Sequence, residues 1–462
     1  MTKYIKAVLA SIAGIVLVPS VAFAGTEDLS HSGGEAHHLA LIFLAIAGIL
    51  VAAKVLHLIE KIKLPPVVGE LVAGIILGNL TLIGIPFFHN FLSNEIVTFL
   101  AELGVVILLF QIGLESNVGQ LVKVGGTAMG VAIIGAVVPF VLGAYGVGPL
   151  LLPNQPMVTY LFLGASLAAT SVGITARIFK DLGKMKTKAA QIVLGAAVID
   201  DILGLILLAV ISSLALEGSV TGISIGLIVL KSFLFLLLSV VIGQLLAPWL
   251  SRLFSLVNTG LGTKFTLVIS FALLFAAVAE VIGLEPIIGA FAAGLVLDPV
   301  HFKGFREPHL IEELKEKLDK ISPTTRQKLN SVLQHHADRS VDDLIEPLAL
   351  FFVPIFFVTT GMSVNIANLL QPSTILVSLV ITLVAILGKL VSGLIIRGQD
   401  RLTVGLAMVP RGEVGLIFAA IGQGLGVISP QIFSVIVLTV LLTTIVGPFL
   451  LSNNLHNRTI TE

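Results

Sequence analysis

Cysteine is absent from the chain, which excludes disulfides, thiol nucleophiles and thiolate-held metals. Charge is scarce. Asp, Glu, Lys and Arg make up 12% of the residues, against roughly 25% in ordinary soluble domains. Neither sign dominates, with 27 basic and 27 acidic residues. Aromatics are few, with a single Trp and three Tyr. No basic patch is interleaved with aromatics, so nucleic-acid binding has no support. The ten histidines are not spaced as a metal cluster, and no cofactor is implied.

What the chain has in quantity is apolar sequence: 56% of its residues are hydrophobic and mean hydropathy is +1.07. Repeated apolar runs of about 18 residues or more define a polytopic helical membrane protein. Residues 1–24 read as a secretory signal peptide. Lys3 and Lys6 precede an apolar run that ends in Ala22-Phe23-Ala24, an A-x-A cleavage site. The competing reading is an uncleaved first helix. Either way, residues 25–38 are expected on the far side of the membrane.

Thirteen spans are expected after the signal, near 39–60, 65–81, 96–114, 126–147, 157–178, 189–215, 222–249, 264–283, 285–299, 346–363, 373–396, 402–426 and 430–452. With the mature N-terminus outside, the inside loops collect Lys61, Lys63, Lys123, Arg177, Lys180, Lys184, Lys186, Lys188, Arg252, Lys264, the basic residues of 300–345, Arg397, Arg401 and Arg458. The outside loops then hold none, and only Lys54, Lys231, Lys389 and Arg411 remain inside spans. The insert 300–345 reads as a solvated cytoplasmic hairpin whose His335 and His336 are surface residues, with pH sensing as the alternative.

The chain repeats itself. PVVGELVAGIIL (66–77) matches PIIGAFAAGLVL (286–297), and LLFQIGLESN (108–117) echoes FFVTTGMSVN (356–365). ATSVGIT (169–175) echoes RGEVGLI (411–417). Each match links spans seven apart; because seven is odd, the second copy runs upside down. Inverted repeats are the architecture of many secondary transporters.

The chemistry centres on AAVIDDILGLILLAV (196–210), an apolar run with Asp200 and Asp201 at its middle. An acid at the centre of a membrane helix costs about 2.5–3.5 kcal/mol on insertion scales and is a functional candidate by default. Helical neighbours point about 100° apart, so one acid can pair with a buried cation while the other faces a water-filled cavity. Lys389, deep in LVAILGKLVSGLI (383–395), needs an anion, and Asp200 or Asp201 is the obvious supplier. Lys54 and Lys231 lie nearer span ends and are expected to snorkel.

The fifth and twelfth spans carry polar and glycine residues at mid-depth: Thr170, Ser171 and Gly173, then Pro410, Arg411, Gly412, Glu413 and Gly415. Two broken helices in opposite halves would put half-helix ends at the bilayer centre. Carbonyl ends favour cations and amide ends favour anions, and Arg411 and Glu413 could neutralise them. Glu70 is a candidate for lining a cavity, with a structural hydrogen bond as the equal alternative. Glu102 and Glu280 are expected to be wetted.

Four motifs in order, ATSVGITARIF (169–179), LGAAVIDDILGLI (194–206), AILGK (385–389) and PRGEVGLI (410–417), resemble NapA-type sodium/proton antiporters of the monovalent cation:proton antiporter superfamily. The resemblance runs from about Pro66 to Phe449, interrupted by the insert. It implies an all-α inverted-repeat antiporter fold with two crossing broken helices. It implies that Asp201 is the alternating cation/proton site, that Asp200 pairs with Lys389, and that Thr170 and Ser171 flank the site. It implies an electrogenic homodimer working by an elevator-type movement for pH and sodium homeostasis. Residues 39–120 and 253–365 would form the dimer scaffold. Residues 121–216 and 366–452 would form the ion-transporting core, and 217–252 the linker helix.

The expected partners are Na+, with Li+ or K+ as alternatives, H+ and the lipid bilayer. The expected location is the bacterial inner membrane, with the C-terminus cytoplasmic. A signal-bearing antiporter is also similar to cyanobacterial NhaS-type proteins, which would imply a thylakoid membrane. The rival readings are a potassium/proton antiporter, a channel, and a non-transporting sensor. An enzyme fits poorly, because adjacent acids pointing apart cannot share a proton as aspartyl-protease carboxylates do.

Overall fold

The computed structural model describes residues 34–56, 65–85, 87–92, 94–115, 125–181, 184, 187–217, 222–297, 341–398 and 400–461. The signal peptide at 1–24 and nearly all of the insert lie outside the described residues. The described residues are mostly helical, and no strand occurs among them.

The helices are α1 (Gly34–Leu56), α2 (Pro66–Gly78), α3 (Glu95–Glu115), α4 (Gly125–Val141), α5 (Met157–Ala168), α6 (Val172–Asp181), α7 (Lys188–Glu217) and α8 (Gly222–Val257). They continue with α9 (Leu261–Val281), α10 (Pro286–Val296), α11 (Asp342–Met362), α12 (Pro372–Ser392), α13 (Asp400–Ala407), α14 (Glu413–Gly424) and α15 (Pro430–Thr461). Several starts are written in the sequence. Pro66, Pro286 and Pro372 occupy the first helical turn, where the missing N–H has no intrahelical partner to lose.

Among the described residues, ten helices are long and apolar enough to cross a membrane. The other three expected spans, 157–178, 285–299 and 402–426, hold the shorter apolar helices Met157–Ala168, Pro286–Val296 and Glu413–Gly424. The first and third are short because the chain leaves the helix at 169–171 and again at 408–412. The second is short because Pro286 starts it late and Leu297 is already extended. Lys264 also departs from expectation: it belongs to α9 and is buried, where a loop position was expected.

The helices are inside-out relative to a water-soluble bundle. On α12, Leu376, Leu379, Leu383 and Leu387 point outward, each at least half exposed, while Thr374, Ser378, Thr382 and Lys389 are buried. An apolar exterior around a polar seam is stable only where the surroundings are lipid.

The described residues form two compact units. One comprises 34–101, 125–226 and 354–461. In it α4 packs against α5, α7 and α12, and α15 packs against α12, α13 and α14. Its aliphatic core includes Val131, Val193, Ile199, Leu406 and Met408. Glycines let backbones touch: a Cβ on Gly74 would stand 2.1 Å from the carbonyl of Val358 and 2.8 Å from Cα of Gly361. The other unit comprises 102–115, 227–297 and 341–353. In it α9 and α10 are packed closely enough that a Cβ on Gly289 would meet the Phe275 carbonyl at 2.0 Å.

Candidate functional site

The site lies in the first unit and is built from two interrupted helices and two continuous ones. The first interruption is Ala169–Thr170–Ser171, between α5 and α6. The second is Met408–Val409–Pro410–Arg411–Gly412, between α13 and α14. Pro410 has no N–H, and Gly412 is at φ −151, ψ −130. Each break frees backbone groups that must find partners in a water-poor interior.

They find them in each other. The backbone N–H of Ser171 donates to the carbonyl of Pro410 at 2.9 Å. The Thr170 hydroxyl donates to the Met408 carbonyl at 3.3 Å, and the Thr175 hydroxyl to the Ala407 carbonyl at 2.8 Å. Gly412 sits so close that a Cβ there would come within 2.9 Å of the Ser171 Oγ.

Two charged residues close the crossing. Arg411 is fully buried. Its guanidinium donates to the carbonyl of Leu167, in the last turn of α5, and to the Val409 carbonyl at 3.1 Å. Positive charge there answers the negative end of the α5 dipole. The Arg411 carbonyl in turn accepts from the Thr444 hydroxyl of α15. Glu413 begins α14, where a carboxylate complements the free amides, and its Oε2 accepts from the Ser171 hydroxyl at 3.3 Å.

α7 packs against α5, α13 and α14 and carries the acids past this crossing. Lys389 of α12, fully buried, donates to Oδ2 of Asp200 at 3.1 Å. The other oxygen of Asp200, Oδ1, is buried and has no hydrogen-bond partner among the described residues. Asp201 is 5% exposed and is hydrogen-bonded to none of the described residues. The charges of Asp200, Glu413 and Lys389 all act on it. The helical turn between neighbours separates the two acids: one is spent on a lysine, the other is left uncommitted.

Formally, three carboxylates (Asp200, Asp201, Glu413) face two cations (Lys389, Arg411), leaving one negative charge. One monovalent cation or one proton would make the cluster neutral.

Glu70 is buried on α2, and the charge acting on it is that of Lys54 on α1. Lys54, Lys231, Glu102 and Glu280 are exposed. Thr175 and Thr444 were not singled out in the sequence, yet they tie the crossing together. The only sequence signal for them is a hydroxyl within an otherwise apolar run, which most membrane helices show.

Among the described residues, helices with two interruptions, a buried ion pair beside them and an acid with no hydrogen-bond partner define the class of secondary ion transporters. Residues 42–455 match the family model described as sodium/hydrogen exchanger, transmembrane, and the chain belongs to that family. It is 33% identical over 450 residues to the high-affinity Na+/H+ antiporter NhaS3 of Synechocystis, covering 88% of this chain and 89% of that one. It is 32% identical over 415 residues to the Na+/H+-K+ antiporter GerN of Bacillus cereus, covering 88% and 94%. The fold is similar to that of the sodium proton antiporter MjNhaP1 of Methanocaldococcus jannaschii. That match has a TM-score of 0.61 at 17% identity and covers 89% of this chain and 97% of that one.

Proposed function

We propose that this chain is an electrogenic sodium/proton antiporter in which Asp201 binds either a dehydrated monovalent cation or a proton. The observation that carries the proposal is the division of labour between neighbours: Asp200 is held by Lys389, while Asp201, buried beside the crossing, holds nothing. A buried uncommitted carboxylate is costly unless it serves to take up a ligand. Thr170, Ser171 and the freed carbonyls supply neutral oxygens nearby, the donors hard cations prefer.

Exchange follows from competition. With a proton on Asp201 and Lys389 protonated beside Asp200, the cluster is formally neutral; with sodium on Asp201 and the Lys389 proton released, it carries one negative charge, so the two loaded forms differ by one charge. Lys389 gives the electrogenic step. When the cation enters, Lys389 leaves Asp200 and releases a proton, so that two protons are exchanged against one sodium. Arg411, Glu413 and Pro410 hold the crossing and take no load themselves.

The wider reading follows the resemblance. The chain crosses the membrane thirteen times, with its mature N-terminus outside. Residues 121–216 and 366–452 move as an elevator against a homodimeric scaffold of 39–120 and 253–365, with 217–252 as the linker. Potassium/proton exchange is the second reading, favoured by the potassium in the name of GerN.

The test uses everted vesicles with a pre-formed proton gradient and a pH dye, with sodium, lithium and potassium added in turn. Gradient collapse on sodium in the wild type, lost in Asp201→Asn, is the expected result. Collapse with potassium alone would replace sodium by potassium as the substrate. No collapse with any cation, in folded protein across a wide pH range, would overturn the antiporter reading in favour of a sensor or channel.

A further inference from the structure

The polar groups of α12 do not end at Lys389. Thr374, Ser378 and Thr382 recur at intervals of four along the helix and are buried, at 1%, 0% and 6% exposure. At about 100° per residue they fall within roughly 80° of arc, and Lys389 falls inside the same arc. The opposite face turns Leu376, Leu379, Leu383 and Leu387 outward. α12 packs against α4 and α15, and Ser378 of the hydroxyl face points to α15.

Buried hydroxyls on helices ordinarily donate to a carbonyl three or four residues back. That is the rule here too. Ser434 donates to Pro430 at 2.9 Å, Thr439 to Val435 at 2.8 Å and Thr443 to Thr439 at 2.9 Å, all on α15. Ser392, one turn past Lys389, donates to the Lys389 carbonyl at 2.6 Å. The stripe breaks the rule. The hydroxyls of Thr374 and Thr382 have no partner among the described residues, and Ser378 reaches the Val435 carbonyl of α15 only at 3.4 Å. Valine would fill either threonine position with the same shape and no orphaned hydroxyl. Orphaned buried hydroxyls are satisfied in proteins by enclosed water.

We propose that the hydroxyl face of α12, from Thr374 through Ser378 to Thr382, holds a file of water that conducts protons between the Pro372 end of the helix and the Lys389–Asp200 pair. The proposal rests on the antiporter reading and gives the lysine proton a route. Successive hydroxyls are about 6 Å apart along the axis, a gap one water bridges. From Thr382 to Lys389 the rise is about 10.5 Å, shortened because helical side chains lean toward the N-terminus. No charged residue lies on α12 between Pro372 and Lys389 to trap a proton on the way. When Lys389 leaves Asp200, an Nζ–H bond breaks and its electron pair stays on nitrogen. The proton passes to the adjacent water and leaves as hydronium at the Pro372 end; uptake is the reverse.

Two measurements test this, and the absence of native cysteine makes the first clean. Thr374→Cys, Ser378→Cys and Thr382→Cys are made singly in the full chain, with Leu379→Cys on the outward face as control. Each is exposed to silver ion in sealed vesicles and then denatured and titrated with a maleimide. Protection by silver at the stripe positions but not at Leu379→Cys is expected. Stripe positions as unreactive as the control, in folded protein, would overturn the proposal. The second measurement compares proton-coupled exchange in Thr382→Val and Thr382→Ser. Valine should slow turnover by about a hundredfold, the lower end of what a positioned proton-transfer group contributes, with the sodium KM unchanged; serine should restore it. Equal rates in wild type and Thr382→Val would defeat the route while leaving the antiporter reading standing. A wild type that exchanges nothing would defeat that reading, and the silver result would still report whether the stripe is wet.

Discussion

The backbone N–H of Ser171 and the carbonyl of Pro410 form a 2.9 Å hydrogen bond between residues 239 positions apart, joining the two helix breaks at their centres. Neither break can shift without loosening the other. Thr170 and Thr175 strengthen the join from the same side. Any rearrangement that exposes Asp201 to one side or the other therefore carries α5, α6, α13 and α14 as a set.

Asp201→Asn should remove exchange down to the background of protein-free vesicles. It breaks no hydrogen bond among the described residues and removes a buried charge. Its melting temperature should therefore equal or exceed that of the wild type, measured by scanning fluorimetry on the same preparation.

Lys389→Ala should behave in the opposite way. It strands Asp200, whose Oδ1 already lacks a partner, and breaking a buried pair costs about 3–5 kcal/mol. Removing both charges, as Asp200→Asn with Lys389→Met, should recover most of that loss. Transport in proteoliposomes with an imposed potential should lose its voltage dependence in Lys389→Ala. Unchanged voltage coupling would rule out the lysine as a proton carrier.

The pH dependence counts protons. If one proton competes with sodium at Asp201, the apparent sodium KM rises about tenfold per unit fall in pH where the site titrates, because the cation needs the ionised ligand. If Lys389 also releases a proton, the limiting slope is about two decades per unit. Wild type should show the steeper slope and Lys389→Ala the shallower one, read from sodium titrations at a series of pH values.

Arg411→Lys should fail despite keeping the charge. The guanidinium reaches two carbonyls at once, on Leu167 and Val409, and one ammonium does not reproduce that planar fork. A loss of about 3 kcal/mol in stability is expected, typical of damaging a buried charge network, with transport falling in proportion to folded protein.

Gly74→Ala should destabilise without touching the transport residues. Its Cβ would overlap backbone on α11, at 2.1 Å from the Val358 carbonyl, where no side chain can swing aside. Overpacking of this kind costs about 1–3 kcal/mol, measurable as a lower melting temperature.

Much of this was legible in the chain because membranes simplify the code. A charge in an apolar run is conspicuous, so Asp200, Asp201, Lys389 and Arg411 could be named from composition alone. The breaks were legible through Pro410 and its glycines, and through Thr170 and Ser171 at the matching place in the first half. The partners were not. That Ser171 donates to Pro410, and that Thr444 holds the Arg411 carbonyl, depends on contacts between distant segments that no local pattern records. Lys264 was misplaced because a lysine near a span end looks like a loop residue; the structure continues α9 past it to Leu261 and buries it. The hydroxyl stripe escaped notice for a similar reason. Threonine is ordinary in membrane helices, and only the absence of its usual backbone bond sets Thr382 apart.

The separation of 189 positions between Asp200 and Lys389 sets a problem for biogenesis. Asp200 enters the membrane while the helix that will pair with it has not yet been synthesised. Until α12 arrives, a nascent chain holds an acid with no counter-charge, and a ribosome stalled in that interval would display it to membrane quality control. When α12 is inserted, it brings its own unshielded lysine and hydroxyl face. The two helices have reason to find each other before the rest of the bundle closes. The ion pair between Asp200 and Lys389 can therefore form only after α12 has been made.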